Sequence, residues 1–276
     1  MPSNAQLVAI QLVSEPDKQS NLQQVEQQLQ KLDTSEPTLV VLPECFGFFG
    51  ASDRSMLGQA EALGDGLLQT EIARMAKQYQ CWIVAGTIPV RAATVDKFTA
   101  SCLVFDDAGQ QRAVYQKIHL FDVEVADNTR SYCESKYTLA GNQTLVLEDT
   151  PFGRLAVAVC YDLRFAGQFL AMQPFDVLAL PAAFTQTTGK AHWHALLQAR
   201  SIENQSYIVA ANQGGTHANG RETFGDSCVY SPWGELLAKK SKEPGVVMAS
   251  MDPTYLEKIR TAMPVVKQNR FRSELV

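Results

Sequence analysis

The chain has 276 residues, 46% of them hydrophobic and 19% charged, which supplies ample apolar material for a core. Its formal net charge of −5 comes without any long Lys/Arg run, so nucleic acid is not an expected partner. No apolar run approaches the roughly 18–20 residues that cross a bilayer, and the six cysteines are scattered without a Cys-x-x-Cys pair, against a zinc site of that type.

The first residues, MPSNAQLVAIQLVSEPDK, lack a basic start and a small-residue cleavage site. They read as a first strand, Leu7–Val13, and the protein is expected to be cytoplasmic, where disulfides are not expected. Capping residues at 14–17 then open a helix marked by Leu22, Val25, Leu29 and Leu32 at helical spacing. Thr38–Leu42 is a buried-type strand ending in Pro43-Glu44. Leu67, Leu68, Ile72, Met75 and Tyr79 mark a second amphipathic helix. Strands are expected near 81–90, 98–105 and 112–118, the last two joined by a hairpin turn at Asp106-Asp107-Ala108-Gly109. A polar loop is expected from about 121 to 140.

Leu155–Val159 is another apolar strand and ends at Cys160. Val177–Leu180 ends at Pro181, His192–Asn204 reads as a helix, and Tyr207–Ala211 as a strand. Gly214, Gly215, Asn219 and Gly220 suggest a flexible loop, and Ser231–Gly234 a turn between two late strands. Asp252-Pro253 has the form of an N-cap with proline at the first helical position. Residues 253–276 are thus expected to be a C-terminal helix and an extended tail, within one domain spanning 1–276. Strands alternating with helices predict an α/β fold.

In open α/β sheets, ligands gather beyond the carboxyl ends of strands. Three reactive side chains sit at such ends: Glu44, Lys117 and Cys160. They form a chemically complete set. A thiol attacks well only as thiolate, and a carboxylate beside it can take its proton. A lysine ammonium can hold the oxyanion of a tetrahedral intermediate, with the backbone N–H of Tyr161 as a second donor. The ordinary readings stand beside this one: a cysteine closing an apolar strand is usually core, and a lone Glu or Lys at a strand end is usually a solvated cap. A Cys–His hydrolase using His119, His192, His194 or His217 is a rival. His192-x-His194 raises a metal-dependent hydrolase, although i and i+2 on a helix point to different faces.

The stretches LPECFGFFG, YQKIHLFD and GRLAVAVCYDLRF resemble the Glu, Lys and Cys signatures of the nitrilase superfamily, the carbon–nitrogen hydrolases. The similarity runs on through PAAFTQTTGKAHWHALLQARSIENQSYIVAANQ and VYSPWGELLA, and so covers nearly the whole chain. The resemblance implies Glu44 as general base, Lys117 as oxyanion stabiliser and Cys160 as nucleophile. It adds Glu134, in the segment Glu134-Ser135 leading to Gly141, as a carboxylate that orients the base or the lysine. It implies a four-layer α-β-β-α sandwich that forms a homodimer or higher homo-oligomer, with no cofactor and no metal. The expected partners are a small amide and water, and the expected reaction passes through a Cys160 thioester and releases ammonia.

Two departures stand out: Ala166-Gly167 replaces the Pro-Glu usual after Arg-Phe, and Asp226 replaces a usual His. The first is the sole support for a non-catalytic relative that binds partners. Within the family the chain is most similar to the branch holding deaminated-glutathione amidase and ω-amidase. The run from Phe184 and Thr185 to Gly189 is similar to both, and Asn212–His217 with Arg221 leans toward the first. Arg221 suits a substrate carboxylate, because guanidinium forks match carboxylates; an exposed loop arginine is the alternative. Phe46, Phe48 and Phe49 are candidates for a pocket wall or for core.

Overall fold

The computed structural model describes residues 4–275, apart from 51, 52, 95, 128 and 130. The last residue of the expected tail, 276, thus lies outside the described residues.

Alternation along the first strand sets the architecture. Strand side chains point to opposite faces with period two. In Ala5–Gln11 the odd residues Ala5, Leu7 and Ala9 join one apolar core, and the even residues Val8 and Ile10 join another. Leu39 and Val41 against Val40, Trp82 and Val84 against Ile83, and Cys102 and Val104 against Leu103 repeat the division. Both faces of this sheet are therefore buried, as parallel sheets with covered faces require. Its strands run in the order Gly245–Met251, Ala5–Gln11, Thr38–Val41, Trp82–Val84, Phe98–Phe105 and Ile88–Arg91, with Gln111–Gln116 also paired to Phe98–Phe105. The even face packs on the helices Lys18–Leu29 and Leu67–Gln78 through Leu22, Val25, Leu29, Leu68, Ile72 and Met75.

The odd face meets a second sheet, ordered Leu236–Lys239, Cys228–Tyr230, Tyr207–Asn212, Val177–Ala182, Gly153–Val157 and Leu145–Thr150. Leu155, Val157 and Val209 on one face of this sheet, and Leu178, Leu180 and Ile208 on the other, all join the apolar cluster that holds the odd face of the first sheet. The helices Ala166–Met172 and Gln186–Asn204 cover the second sheet through Phe169, Met172, Trp193 and Leu197. Helix, sheet, sheet and helix thus make four layers. Each fully buried leucine or valine in the middle contributes about 1.5–3 kcal/mol, so the two sheets are locked face to face. The centre of each sheet is parallel: Ala5–Gln11, Thr38–Val41 and Trp82–Val84 in one, and Gly153–Val157, Val177–Ala182 and Tyr207–Asn212 in the other.

Several elements differ from the sequence expectation. The polar stretch after 121 contains a two-stranded ribbon, Asp122–Glu124 with Ser131–Cys133, followed by a 3₁₀ turn at Glu134–Lys136. Its strands have three residues each, too short to show alternation. Gly214–Thr216 and Glu222–Phe224 pair as a hairpin where a flexible loop was expected. The long helix starts at Gln186, well before His192, because Thr185 caps it by accepting the Thr188 N–H at 3.2 Å. The expected strand near 81–90 is two strands, broken at 85–87. The tail begins with a short helix, Val265–Gln268, and is irregular beyond it. Asp252 caps the helix Pro253–Ala262 as expected.

Candidate active site

Three strand ends converge on one cavity. Glu44 follows the parallel strand Thr38–Val41 of the first sheet, and Cys160 follows Gly153–Val157 of the second. Lys117 follows Gln111–Gln116, an antiparallel strand of the first sheet. Lys117 Nζ lies 2.7 Å from Glu44 Oε1 and 2.9 Å from Glu134 Oε2, so one ammonium is shared by two carboxylates. Lys117 is only 2% exposed. Burial works against its charge, but Glu134 and Glu44 outweigh burial and hold its pKa well above the ordinary lysine value. Lys117 is therefore a fixed cation. Burial also raises the pKa of Glu134, with Lys117 opposing and Glu44 adding to the rise.

Cys160 opens a 3₁₀ turn, Cys160–Arg164, with a left-handed φ of 48°. A non-glycine residue held there is strained by about 1–3 kcal/mol and persists only where its surroundings determine it. Burial is the main cause that raises its thiol pKa well above the free value; Glu44 adds to it, while Lys117 and a backbone hydrogen bond from Ala183 oppose. The thiol is thus neutral at rest. A general base has to take its proton as it attacks.

The supports of these groups are local and steric. Gly86, at φ +43°, faces the Pro43 carbonyl so closely that a Cβ would meet it at 2.0 Å, so the turn before Glu44 needs glycine there. A Cβ on Gly141 would lie 2.2 Å from the Gln116 carbonyl, and the Gly141 N–H donates to the Lys117 carbonyl at 2.8 Å. Glu134 also accepts the Phe121 N–H at 2.7 Å, closing the base of the ribbon. Asp162 accepts from Val159 N (2.9 Å), His119 N (3.0 Å) and Tyr115 Oη (2.7 Å), tying the cysteine turn to the lysine segment.

These groups border one cavity, which opens to solvent. All the residues singled out from sequence as catalytic or substrate-binding line it: Glu44, Lys117, Glu134, Cys160, Tyr161, Phe184, Thr185 and Arg221. Arg221 Nη2 donates to the Ala183 carbonyl at 3.0 Å. Its guanidinium sits 5.4 Å from the Phe49 ring centroid and 5.1 Å from that of Tyr132. Phe46 is core, fully buried in the cluster against the outer helices, whereas Phe49 stacks on His217 at 3.7 Å.

Sequence reasoning missed Phe121, Tyr132, Thr138 and Arg164, which also line the cavity. Tyr132 and Phe121 stand on or beside the ribbon, and no periodic signal marked them. Phe121 packs between Tyr132 (5.0 Å) and Tyr161 (5.1 Å). Thr138 Oγ1 and Arg221 Nε are buried with no hydrogen-bond partner among the described residues. Both are free to bind a polar ligand.

None of the four histidines lines this cavity. His119 Nδ1 pairs with Asp162 at 2.8 Å and its ring stacks on Phe165 at 3.7 Å. His192 meets Arg164, whereas His194 meets Tyr230 and Asp226, each ring nitrogen of His194 at 2.9 Å from its partner. The two lie on one helix with separate partners. Asp226 is outside the cavity wall; it anchors His194 and Lys239. Ala166 and Gly167 start a helix, and a Cβ on Gly167 would meet Ser273 Oγ of the tail at 2.7 Å.

A four-layer α/β fold with a thiol, two carboxylates and an ammonium at converging strand ends has the parts of an acyl-transfer hydrolase. Residues 6–261 match the carbon–nitrogen hydrolase family. The chain belongs to that family and is a carbon–nitrogen hydrolase. It is 41% identical to a deaminated glutathione amidase of Yersinia enterocolitica, over 99% of this chain and 96% of the relative. Among solved structures it is similar to the Caenorhabditis elegans NitFhit protein, with a TM-score of 0.88 and 32% identity, over 98% of this chain and 66% of that one. It is similar also to Saccharomyces cerevisiae Nit3, a member of branch 10 of the nitrilase superfamily, with a TM-score of 0.86 and 26% identity, over 98% and 100%.

Proposed function

We propose that the enzyme hydrolyses the C–N bond of a small, carboxylate-bearing linear amide through a thioester on Cys160, with deaminated glutathione as substrate. One observation carries the reading. Cys160 and Arg221 line the same cavity, and the Arg221 guanidinium donates to the carbonyl of Ala183, which lines it between them, at 3.0 Å. Nucleophile and cation thereby share one cavity, which suits an amide whose carboxylate is anchored while its carbonyl meets the thiol.

The chemistry follows from the arrangement. Glu44 takes the Cys160 proton as sulfur attacks the carbonyl carbon. The oxyanion is stabilised by the Lys117 ammonium and the Tyr161 N–H. Glu44 returns the proton to the amide nitrogen, the C–N bond breaks, and a thioester remains. Glu44 then activates water, whose attack releases the acid and restores the thiol. Glu134 holds Lys117 against the thiol side and orients it. Phe184 and Thr185 close the acyl side of the cavity, and Arg221 pairs with a substrate carboxylate. With a primary amide the nitrogen leaves as ammonia. Deaminated glutathione has only substituted amide nitrogens, so there it leaves as the amine of a dipeptide.

The relative from Yersinia enterocolitica carries the name deaminated glutathione amidase over nearly its full length, which favours that substrate. The alternative is an ω-amidase acting on 2-oxoglutaramate. The test compares turnover of deaminated glutathione, 2-oxoglutaramate and simple nitriles, reading dipeptide amine, ammonia and the acid separately. Faster turnover of 2-oxoglutaramate overturns the first choice, and folded protein inert toward every amide favours a binding role.

We read residues 1–276 as one hydrolase domain acting in the cytoplasm as a homodimer or higher homo-oligomer. Ile202 and Trp233, 50% and 52% exposed, supply neighbouring apolar surface for self-association. No helix among the described residues is long and apolar enough to cross a membrane.

A further inference from the structure

The catalytic cavity does not end at Arg221. A second cavity shares Cys45, Met56, Tyr132 and Arg221 with it. Beyond that seam the walls change in character: Thr129, Ser131, Cys133 and Asn219 bring hydroxyl, thiol and amide groups. A third hollow meets the same seam at Tyr132 and Arg221 but counts Asp127 and Glu222 among its lining residues. The two outer hollows therefore differ in charge. The one with Asp127 and Glu222 opposes a carboxylate by like-charge repulsion. The one with Cys133 and Asn219 has no carboxylate among its described lining residues, and Arg221 is its cation.

We propose that the cavity between Met56, Cys133 and Asn219 is a leaving-group subsite, which takes the amine side of a peptide-like amide while the acyl chain stays beside Cys160. The inference rests on the deaminated-glutathione reading and sharpens it. In that substrate the leaving amine is a thiol-bearing dipeptide ending in a carboxylate. Two extended residues reach about 7 Å past the scissile nitrogen, whereas ammonia needs no such room. The uncharged hydrogen-bonding groups among the described lining residues suit a peptide bond and a thiol. The walls are held in place: Asn219 Nδ2 donates to the Gly50 carbonyl at 2.7 Å, and the Tyr132 hydroxyl donates to Asp127 at 2.9 Å. The subsite would make the enzyme select amides by what leaves as well as by what stays.

Two variants on the ribbon, Ser131→Trp and Cys133→Phe, put larger side chains on the lining of this cavity. Each is assayed with deaminated glutathione and with 2-oxoglutaramate, alongside its melting temperature. The expected result is a fall of about tenfold or more in kcat/KM for deaminated glutathione, carried by KM, with 2-oxoglutaramate within about twofold of wild type. An equal effect on the two substrates, or none on deaminated glutathione in either folded variant, overturns the subsite. Wild-type enzyme that hydrolyses 2-oxoglutaramate and leaves deaminated glutathione intact overturns the substrate reading itself, a result distinct from either.

Discussion

The strand Gln111–Gln116 and the residues just after it carry two buried polar clusters of opposite character. Around Asp162, which is fully buried, donors match acceptors: Tyr115 Oη and Val159 N reach Oδ2, and His119 N and Nδ1 reach Oδ1. Gln168 donates to Tyr115 Oη at 2.9 Å, while its own buried Oε1 has no partner among the described residues. Around Lys117 the balance is unequal, because one ammonium serves two carboxylates and a thiol lies beside them. The first cluster is closed to ligand, whereas the second forms a cavity wall. A carboxylate whose two oxygens both accept from fixed donors sets geometry, and a network with excess negative charge beside a proton-bearing thiol has protons to move. The closed cluster also aligns the open one, since Asp162 joins the residue before Cys160 to both sides of Lys117.

Breaking the open cluster has the largest effects on turnover. Cys160→Ala removes the nucleophile, and activity is expected to fall below about one part in 10⁴. Mass spectrometry after substrate addition should then show no acyl-enzyme, whereas wild type quenched in acid does. Full activity in this variant would sink the thioester mechanism. Lys117→Met leaves Glu44 and Glu134 facing each other without their cation. Removing one partner of a buried pair costs about 3–5 kcal/mol, so melting temperature falls along with activity. The sign with pH is fixed. Burial already raises Glu134, and losing Lys117 raises it further above its unfolded value. Stability from a raised group is present below the unfolded pKa and lost as pH rises through the folded one. Melts at about pH 5 and pH 8 should show the larger deficit at the higher pH; equal deficits would place the carboxylates outside the linkage.

The closed cluster should respond differently. Asp162→Asn keeps the shape but turns an NH₂ group toward donors. An unsatisfied buried donor costs about 1–3 kcal/mol, and the Cys160 turn loses its tether to the lysine segment. The expectation is a fall in kcat of about tenfold with KM little changed, as for a group that sets transition-state geometry. A KM effect equal to the kcat effect would show that Asp162 shapes the binding pocket instead.

The same contrast explains what was legible in the sequence. Glu44, Lys117 and Cys160 end short strands, four to six residues long, where pattern and chemistry coincide. Glu134 follows a polar ribbon, and only family resemblance pointed to it. Tyr132, Phe121 and Thr138 reach the cavity through contacts between segments distant in sequence, which no local period encodes. Asp162 had no signal either, since a carboxylate after a cysteine reads as a turn until its donors are seen. The helices from Lys18 and Leu67 were legible because their apolar stripes face one sheet. Strand order was not, because pairing joins Ala5–Gln11 to Gly245–Met251 across nearly the whole chain.

His217 sharpens the comparison from outside both clusters. It is buried against Phe49, and the Ser14 carbonyl at 2.9 Å can only accept, so Nδ1 carries the hydrogen while Nε2 accepts from the Thr223 hydroxyl. Burial is the chief cause that lowers its pKa from 6.5 to about 4; the Ser14 bond opposes and Arg221 adds to the fall. Folded protein thus keeps this histidine neutral where the unfolded chain protonates it. Stability from this lowered pKa is fully present above pH 6.5 and is lost as pH falls toward 4. The shift corresponds to about 3 kcal/mol. His217→Gln should be less stable than wild type at about pH 7, with the gap narrowing as pH falls from 6.5 to 4. The pH–rate profile between about pH 5 and 8 should keep its shape, because no proton moves at His217 in that range. Denaturation curves that stay parallel down to pH 4 would mean that this histidine charges in the fold, and would move it from the closed class to the open one.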